Sequence, residues 1–270
     1  MFPLLILDSD IQIDDFSLKT KPQSYACGRR LYCIKHLEQQ YWLKFHIENT
    51  HSALECAFQH EINFYQQHVS IEQDFLLPYQ CIQFERLAHL HHFNTHGSGL
   101  LCVHSDVFFT DISGFTSIDV IRQKIGQVLD VLEGFYQSGW IHGDLKREHF
   151  RLYQNTCRLI DFEQSIAQKD TQQILTATPH YMAPELFQGA AKTVQSDLYA
   201  LGIILFEWLT YTRLQTKSYY DWAVLHCQQF QLQLPAKFQC FVPLLKGLLE
   251  KRVERRLSSI LEAKNCLNLL

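Results

Sequence analysis

Apolar residues fall first into short runs of strand length and later recur at helical spacing. Arg30–Leu37 and Tyr41–Ile47 are short, largely apolar runs flanking the polar Glu38-Gln39-Gln40, which predicts a β-hairpin. From Ser52 to His68, Leu54, Phe58, Ile62 and Tyr65 recur at intervals of three and four, the signature of an amphipathic helix. Further strands are expected at Leu77–Leu87 and Leu100–His104, and a long helix at Thr116–Ser138. That helix would carry Ile118, Ile121, Ile125, Leu129, Leu132 and Phe135 on one face and end at Gly139. Two short runs, Phe150–Leu152 and Arg158–Ile160, flank the turn residues Gln154-Asn155 and read as a second hairpin. The longest apolar run, Ala200–Phe206, is far shorter than the roughly 20 residues a membrane span requires.

Charged residues stand out where they interrupt this pattern. In the stretch from 139 to 163, GWIHGDLKREHFRLYQNTCRLIDFE, Asp144 precedes one predicted strand and Asp161 ends the next, with Lys146 between them. Two carboxylates and a lysine suit phosphoryl transfer. One carboxylate orients an attacking hydroxyl, the other holds a divalent metal on the phosphates, and the lysine offsets charge on the group being transferred.

This stretch resembles the catalytic core of the protein kinase superfamily, with His142-Gly143-Asp144 at the HRD position and Asp161-Phe162-Glu163 at the DFG position. Other segments agree in order. Thr178-Pro-His-Tyr-Met-Ala-Pro-Glu185 resembles the end of a Ser/Thr kinase activation segment, which would begin at Gln164. Ser196–Leu209 resembles the central helix of the large lobe, and Leu248–Ser259 the penultimate helix. Lys44, in the second predicted strand, and Glu61, seventeen residues on in the predicted helix, have the gap of the family's phosphate-binding lysine and its ion-pair partner. Lys35 competes with Lys44, but leaves too few residues before it for a phosphate loop and too many before Glu61.

The resemblance implies a bilobal α+β fold formed by one domain over residues 1–270: an antiparallel small lobe to about 103, a hinge at about 104–107 and a helical large lobe beyond. It also implies roles. Asp144 would orient the acceptor hydroxyl, Lys146 steady the γ-phosphoryl charge and Asp161 hold Mg2+, with Mn2+ as a substitute, while Lys44, Glu61 and Gly28 would serve ATP. Thr178 would hydrogen-bond the Asp144–Lys146 pair, Asp197 brace the catalytic loop, and Glu185 and Arg256 form a buried ion pair. His142 and Phe162 would pack in the hydrophobic spine.

Several positions depart from the family pattern. Gly28 is what remains of the glycine-rich loop, and Arg29 and Arg30 beside it read either as alternative sources of charge for the phosphates or as a solvated hairpin tip. Trp42 stands where a small residue usually roofs the adenine. His149 replaces the asparagine that holds a second metal, and an imidazole suits magnesium less well than oxygen. Glu163 replaces a glycine and brings a carboxylate toward the metal. Gly143 replaces the arginine that would pair with a phosphorylated loop, so activity need not depend on that modification. The favoured expectation is ATP-dependent transfer to Ser/Thr hydroxyls of a protein substrate. A pseudokinase acting as a binding module and a small-molecule or glycolipid kinase remain as alternatives.

Composition narrows the setting. With 24 basic and 28 acidic residues intermixed, net charge -4, the chain shows no basic field for nucleic acid. Nine cysteines without a C-x-x-C pair read as buried, reduced thiols of a cytoplasmic protein, and the start MFPLLILDSD lacks the basic region of a signal peptide. The histidines at 89, 91, 92 and 96 lack the partners of a structural zinc site and read as a solvated turn.

Overall fold

The structure is a computed structural model that describes residues 15–36, 38–68, 73–84, 97–112, 117–170 and 177–269. The histidine-rich turn, the end of the strand expected to reach Leu87, and positions 171–176 of the activation segment lie outside the described residues. The chain divides into two units, Met1–Asp106 with Ile160–Glu163, and Val107–Leu159 with Gln164–Leu270.

The first unit is built on an antiparallel sheet in the order β1-β2-β3-β5-β4. Its strands are β1 (Asp15–Leu18), β2 (Arg29–His36), β3 (Gln39–His46), β4 (Tyr79–Gln83) and β5 (Ser98–Val103). In β3 the pleat puts Tyr41, Leu43 and Phe45 into the core and sends Trp42 and Lys44 to the other face. The register sets Lys44 between Leu31 of β2 and Leu100 of β5. Helix α2 (Ser52–Gln67) packs against β3, β4 and β5 and buries Phe58, Ile62, Phe64 and Tyr65. Each such side chain contributes about 1.5–3 kcal/mol of burial free energy. The ring nitrogen of His51 caps its N-terminus by accepting from Leu54 N–H at 3.4 Å.

Between β1 and β2 the structure corrects the expected hairpin tip. Pro22–Ala26 form a one-turn helix, α1, with proline in its first turn, where the missing N–H costs nothing. Gly28 follows it at φ +91°, and a Cβ there would fall 1.9 Å from Thr50 Oγ1. Glycine is required because the backbone is left-handed and Thr50 and His46 fill the space above it.

The chain leaves the first unit through β6 (Asp106–Val107). The second unit is mainly helical. Its α3 (Ile118–Gln137) starts at Ser117, whose Oγ accepts from Asp119 N–H at 3.2 Å, and stops before Gly139 at φ +88°. The strand pair β7 (Trp140–Ile141) and β10 (Ile166–Ala167) brackets the loop of interest and the hairpin of β8 (Phe150–Tyr153) and β9 (Thr156–Leu159). That hairpin turns through Gln154 and Asn155 at φ 48° and 62°. Helix α4 (Val194–Thr210) is closed at its start by a reciprocal Thr193–Ser196 capping box and is buried without a break from Ser196 to Leu209. A helix apolar on all sides belongs in the middle of a core, and α5 (Tyr219–Val224), α6 (Val242–Leu248) and α7 (Ile260–Asn268) complete the unit. No helix among the described residues is long and apolar enough to cross a membrane.

Two further expectations are corrected. Leu248–Ser259 is not a helix: after α6 it forms a connection with a single 3-10 turn, Val253–Arg255. The run from Glu250 to Arg256 offers one apolar residue, Val253, so it has no stripe to bury, and Arg256 draws the Glu250 and Lys251 carbonyls to its own side chain. The cysteines are also less buried than expected. Cys157 is buried, Cys56 is exposed and the other seven lie between, all as free thiols.

Candidate active site

In the first unit, β3 and α2 deliver the charges. Lys44 Nζ lies 2.7 Å from Glu61 Oε2, 2.9 Å from Asp161 Oδ1 and 2.8 Å from Glu163 Oε1. Glu61 is 1% exposed and its other oxygen accepts the Phe162 N–H at 3.1 Å, so one carboxylate fixes both the lysine and the backbone beyond β9. That backbone passes through Asp161 at φ +68°, a left-handed conformation rare for a residue with a Cβ. The turn drives Phe162 into the core, fully buried, stacked on Phe64 at 4.2 Å and edge-on to Tyr65 at 5.4 Å. Trp42, on the same face of β3 as Lys44, lies over the His104 ring with centroids 5.4 Å apart.

The electrostatics follow from crowding. Burial opposes the Lys44 ammonium, but Asp161, Glu61 and Glu163 together outweigh it and hold its pKa well above the usual lysine value. Burial pushes the Glu61 carboxyl up to about 7 even against the pull of Lys44. Glu163 also forms an ion pair with Arg29, the first residue of β2. That pair spans 134 residues, and nothing in the local pattern at either position announces it. Glu61, Asp161 and Glu163 each place a carboxylate oxygen within 4.8 Å of the others. These are hard oxygen donors of the kind magnesium takes, and Lys44 and Arg29 lie against them.

Gly28 and His149, expected to serve ATP and metal, are not among these clustered charges. The N–H of Gly28 donates to Tyr25 O at 3.1 Å, so it does not lie open to a phosphate. His149 belongs to the second unit and, among the described residues, joins no group of three metal-ligating side chains. Its buried ring packs on His142 with centroids 5.5 Å apart, while the fully buried His142 ring also neighbours Phe135.

In the second unit, the loop after β7 hangs on α4. Asp197 Oδ2 accepts the His142 N–H at 2.8 Å, and Oδ1 accepts that of Gly143 at 2.9 Å. Burial raises the Asp197 carboxyl to about 6 against those two amides, and the Tyr136 hydroxyl donates to it as well, at 3.3 Å. Beyond this anchor Asp144 Oδ2 is 2.8 Å from Lys146 Nζ, and Oδ1 accepts from Thr178 at 3.0 Å. The Thr178 donor is its backbone N–H. Seven residues later Glu185 meets Arg256, whose Nη1 and Nη2 reach the two carboxylate oxygens at 2.6 and 2.8 Å.

The chain is similar to known protein kinases. The protein kinase domain model matches residues 80–268, well over half of the chain. A "Probable serine/threonine-protein kinase PknB" of Lactococcus lactis is 38% identical over 100 residues, covering 34% of this chain and 16% of that protein. Serine/threonine-protein kinase gad8 of Schizosaccharomyces pombe is 32% identical over 152 residues, 52% of this chain and 26% of its own length. Serine/threonine-protein kinase YPK2/YKR2 of Saccharomyces cerevisiae is 34% identical over 145 residues, 50% of this chain and 21% of its own. The chain belongs to the protein kinase family. Its matches span about a quarter or less of the length of these relatives.

Proposed function

We propose that this chain is a protein kinase domain that transfers phosphate from ATP to serine or threonine hydroxyls of a protein substrate. The observation that carries the reading is the setting of Asp144. Its carboxylate is held from one side by the Lys146 ammonium and from the other by the Thr178 amide, on a loop whose own amides are anchored to Asp197. A group positioned this way can orient an acceptor hydroxyl and take its proton, while Lys146 offsets charge on the phosphoryl oxygens. The three carboxylates around Lys44 fit a divalent cation, with Asp161 and Glu163 as the residues that would hold it. When bound, ATP with its metal supplies the phosphoryl group. Lys44, oriented by Glu61, would then steady the phosphates, and the serine/threonine names of the relatives favour those acceptors.

The reading takes residues 1–270 as one bilobal domain with its hinge at 104–107. It also places the protein in the cytoplasm, where free thiols persist. A second reading, a binding module without turnover, is favoured by Glu163. It engages both Lys44 and Arg29, the cations that phosphate oxygens would need. The test is a thermal-shift titration with ATP and magnesium followed by a transfer assay on a generic protein substrate. A kinase shows both stabilisation and transfer, and a binding module shows no transfer, with or without stabilisation.

A further inference from the structure

Lys192 is 2% exposed, a degree of burial rare for lysine. It stands just before the N-cap of α4, and its Nζ donates to Gln164 O at 3.4 Å. Its stem and ammonium lie over Gly143, the residue before Asp144. A Cβ on Gly143 would come 2.8 Å from Lys192 Cδ, 3.0 Å from its Nζ and 2.6 Å from Gln164 O. Gly143 has φ +74°, so conformation and crowding both require glycine there. Burial lowers the Lys192 pKa, while the charges of Asp144 and Asp197 act in the opposite direction.

A lysine buried merely to fill this space would be a poor choice, since an unbranched apolar side chain fits without the cost of desolvating a charge. What the ammonium adds is a link. It joins the carbonyl that follows Glu163 to a position over the catalytic loop, within the field of the loop's reactive carboxylate and of its anchor. We propose that Lys192 is a positioning residue for phosphoryl transfer: its buried ammonium, packed over Gly143, locks the Asp144 loop to the start of the following segment at Gln164. The inference rests on the kinase reading above and adds a residue to it.

The experiment compares wild-type protein with Lys192→Met and Lys192→Arg. Lys192→Met lowers kcat by about tenfold to a hundredfold, the scale of a small misplacement of a catalytic group. It leaves KM for ATP within about twofold and the melting temperature unchanged or higher, because methionine removes a buried charge. Lys192→Arg restores part of kcat. A kcat within about twofold of wild type in Lys192→Met overturns the proposal, as does a loss of kcat that tracks a fall in melting temperature in both variants. If wild-type protein transfers no phosphate, the kinase reading has failed, and amide exchange then decides on Lys192. Faster exchange at His142, Gly143 and residues 164–170 in Lys192→Met supports the lock, and unchanged exchange overturns it.

Discussion

Arg256 grips Glu185 with two nitrogens at 2.6 and 2.8 Å, and its side chain is completely buried. The same guanidinium donates to the carbonyls of Gln195, Glu250 and Lys251 and lies 5.0 Å from the Tyr199 ring centroid. It therefore joins the segment ending at Glu185, the start of α4 and the connection from α6 to α7.

Removing one partner of such a pair costs about 3–5 kcal/mol, because the other carboxylate and the carbonyls lose their donor. Arg256→Ala is expected to lower the melting temperature by roughly 10 °C. Scanning calorimetry on the two proteins checks this. A shift of a degree or so, as at an ordinary surface site, would show that the pair contributes little.

Asp197 makes a prediction about pH. Burial raises its carboxyl to about 6, so the folded protein binds this proton more tightly than the unfolded chain does. Its contribution to stability is fully present below the unfolded value and is lost as pH rises through about 6. The stability of wild type relative to Asp197→Asn should therefore fall between about pH 4.5 and about pH 7. Urea unfolding at the two pH values measures it, and a difference that stays level or grows would contradict this setting for Asp197.

Glu61 orients Lys44, and its loss should be felt in nucleotide binding. With Glu61→Ala, Lys44 keeps Asp161 and Glu163 but loses the partner on α2, and Phe162 N–H loses its acceptor. The dissociation constant for ATP with magnesium should rise about tenfold, the equivalent of about 1.4 kcal/mol. Isothermal titration reads this directly, and equal affinity in the two proteins would remove Glu61 from the binding machinery.

Different parts of the molecule were legible to different degrees. The spacing of Leu54, Phe58, Ile62 and Tyr65 is enough to read α2, and the Ile118-to-Phe135 stripe enough to read α3, because an apolar face at helical period has few other uses. The Lys44–Glu61 contact was accessible through the kinase resemblance, which pairs a strand lysine with a helix glutamate at that gap. Helix α1 was not: it is five residues long, buries none of them and has no period to detect. The connection after Leu248 was misread for the converse reason, since a charged run can be matched to a helix by letters although it has no face to bury. Lys192 and the Arg29–Glu163 pair were hidden because each acts across more than twenty residues of chain, and one lysine in a polar stretch looks like any other. The positive φ of Asp161 was equally invisible, because tertiary contacts impose it.

In the proposed reaction Asp144 orients the acceptor hydroxyl and takes its proton. Wild-type protein and Asp144→Asn are incubated with labelled ATP, magnesium or manganese, and a generic basic protein, and phosphoserine and phosphothreonine are counted. Wild type should label both residue types, and Asp144→Asn should lose at least about a hundredfold, the scale of removing a positioned general base. Transfer by Asp144→Asn at the wild-type rate, or none by wild type with either metal, would contradict that role for Asp144.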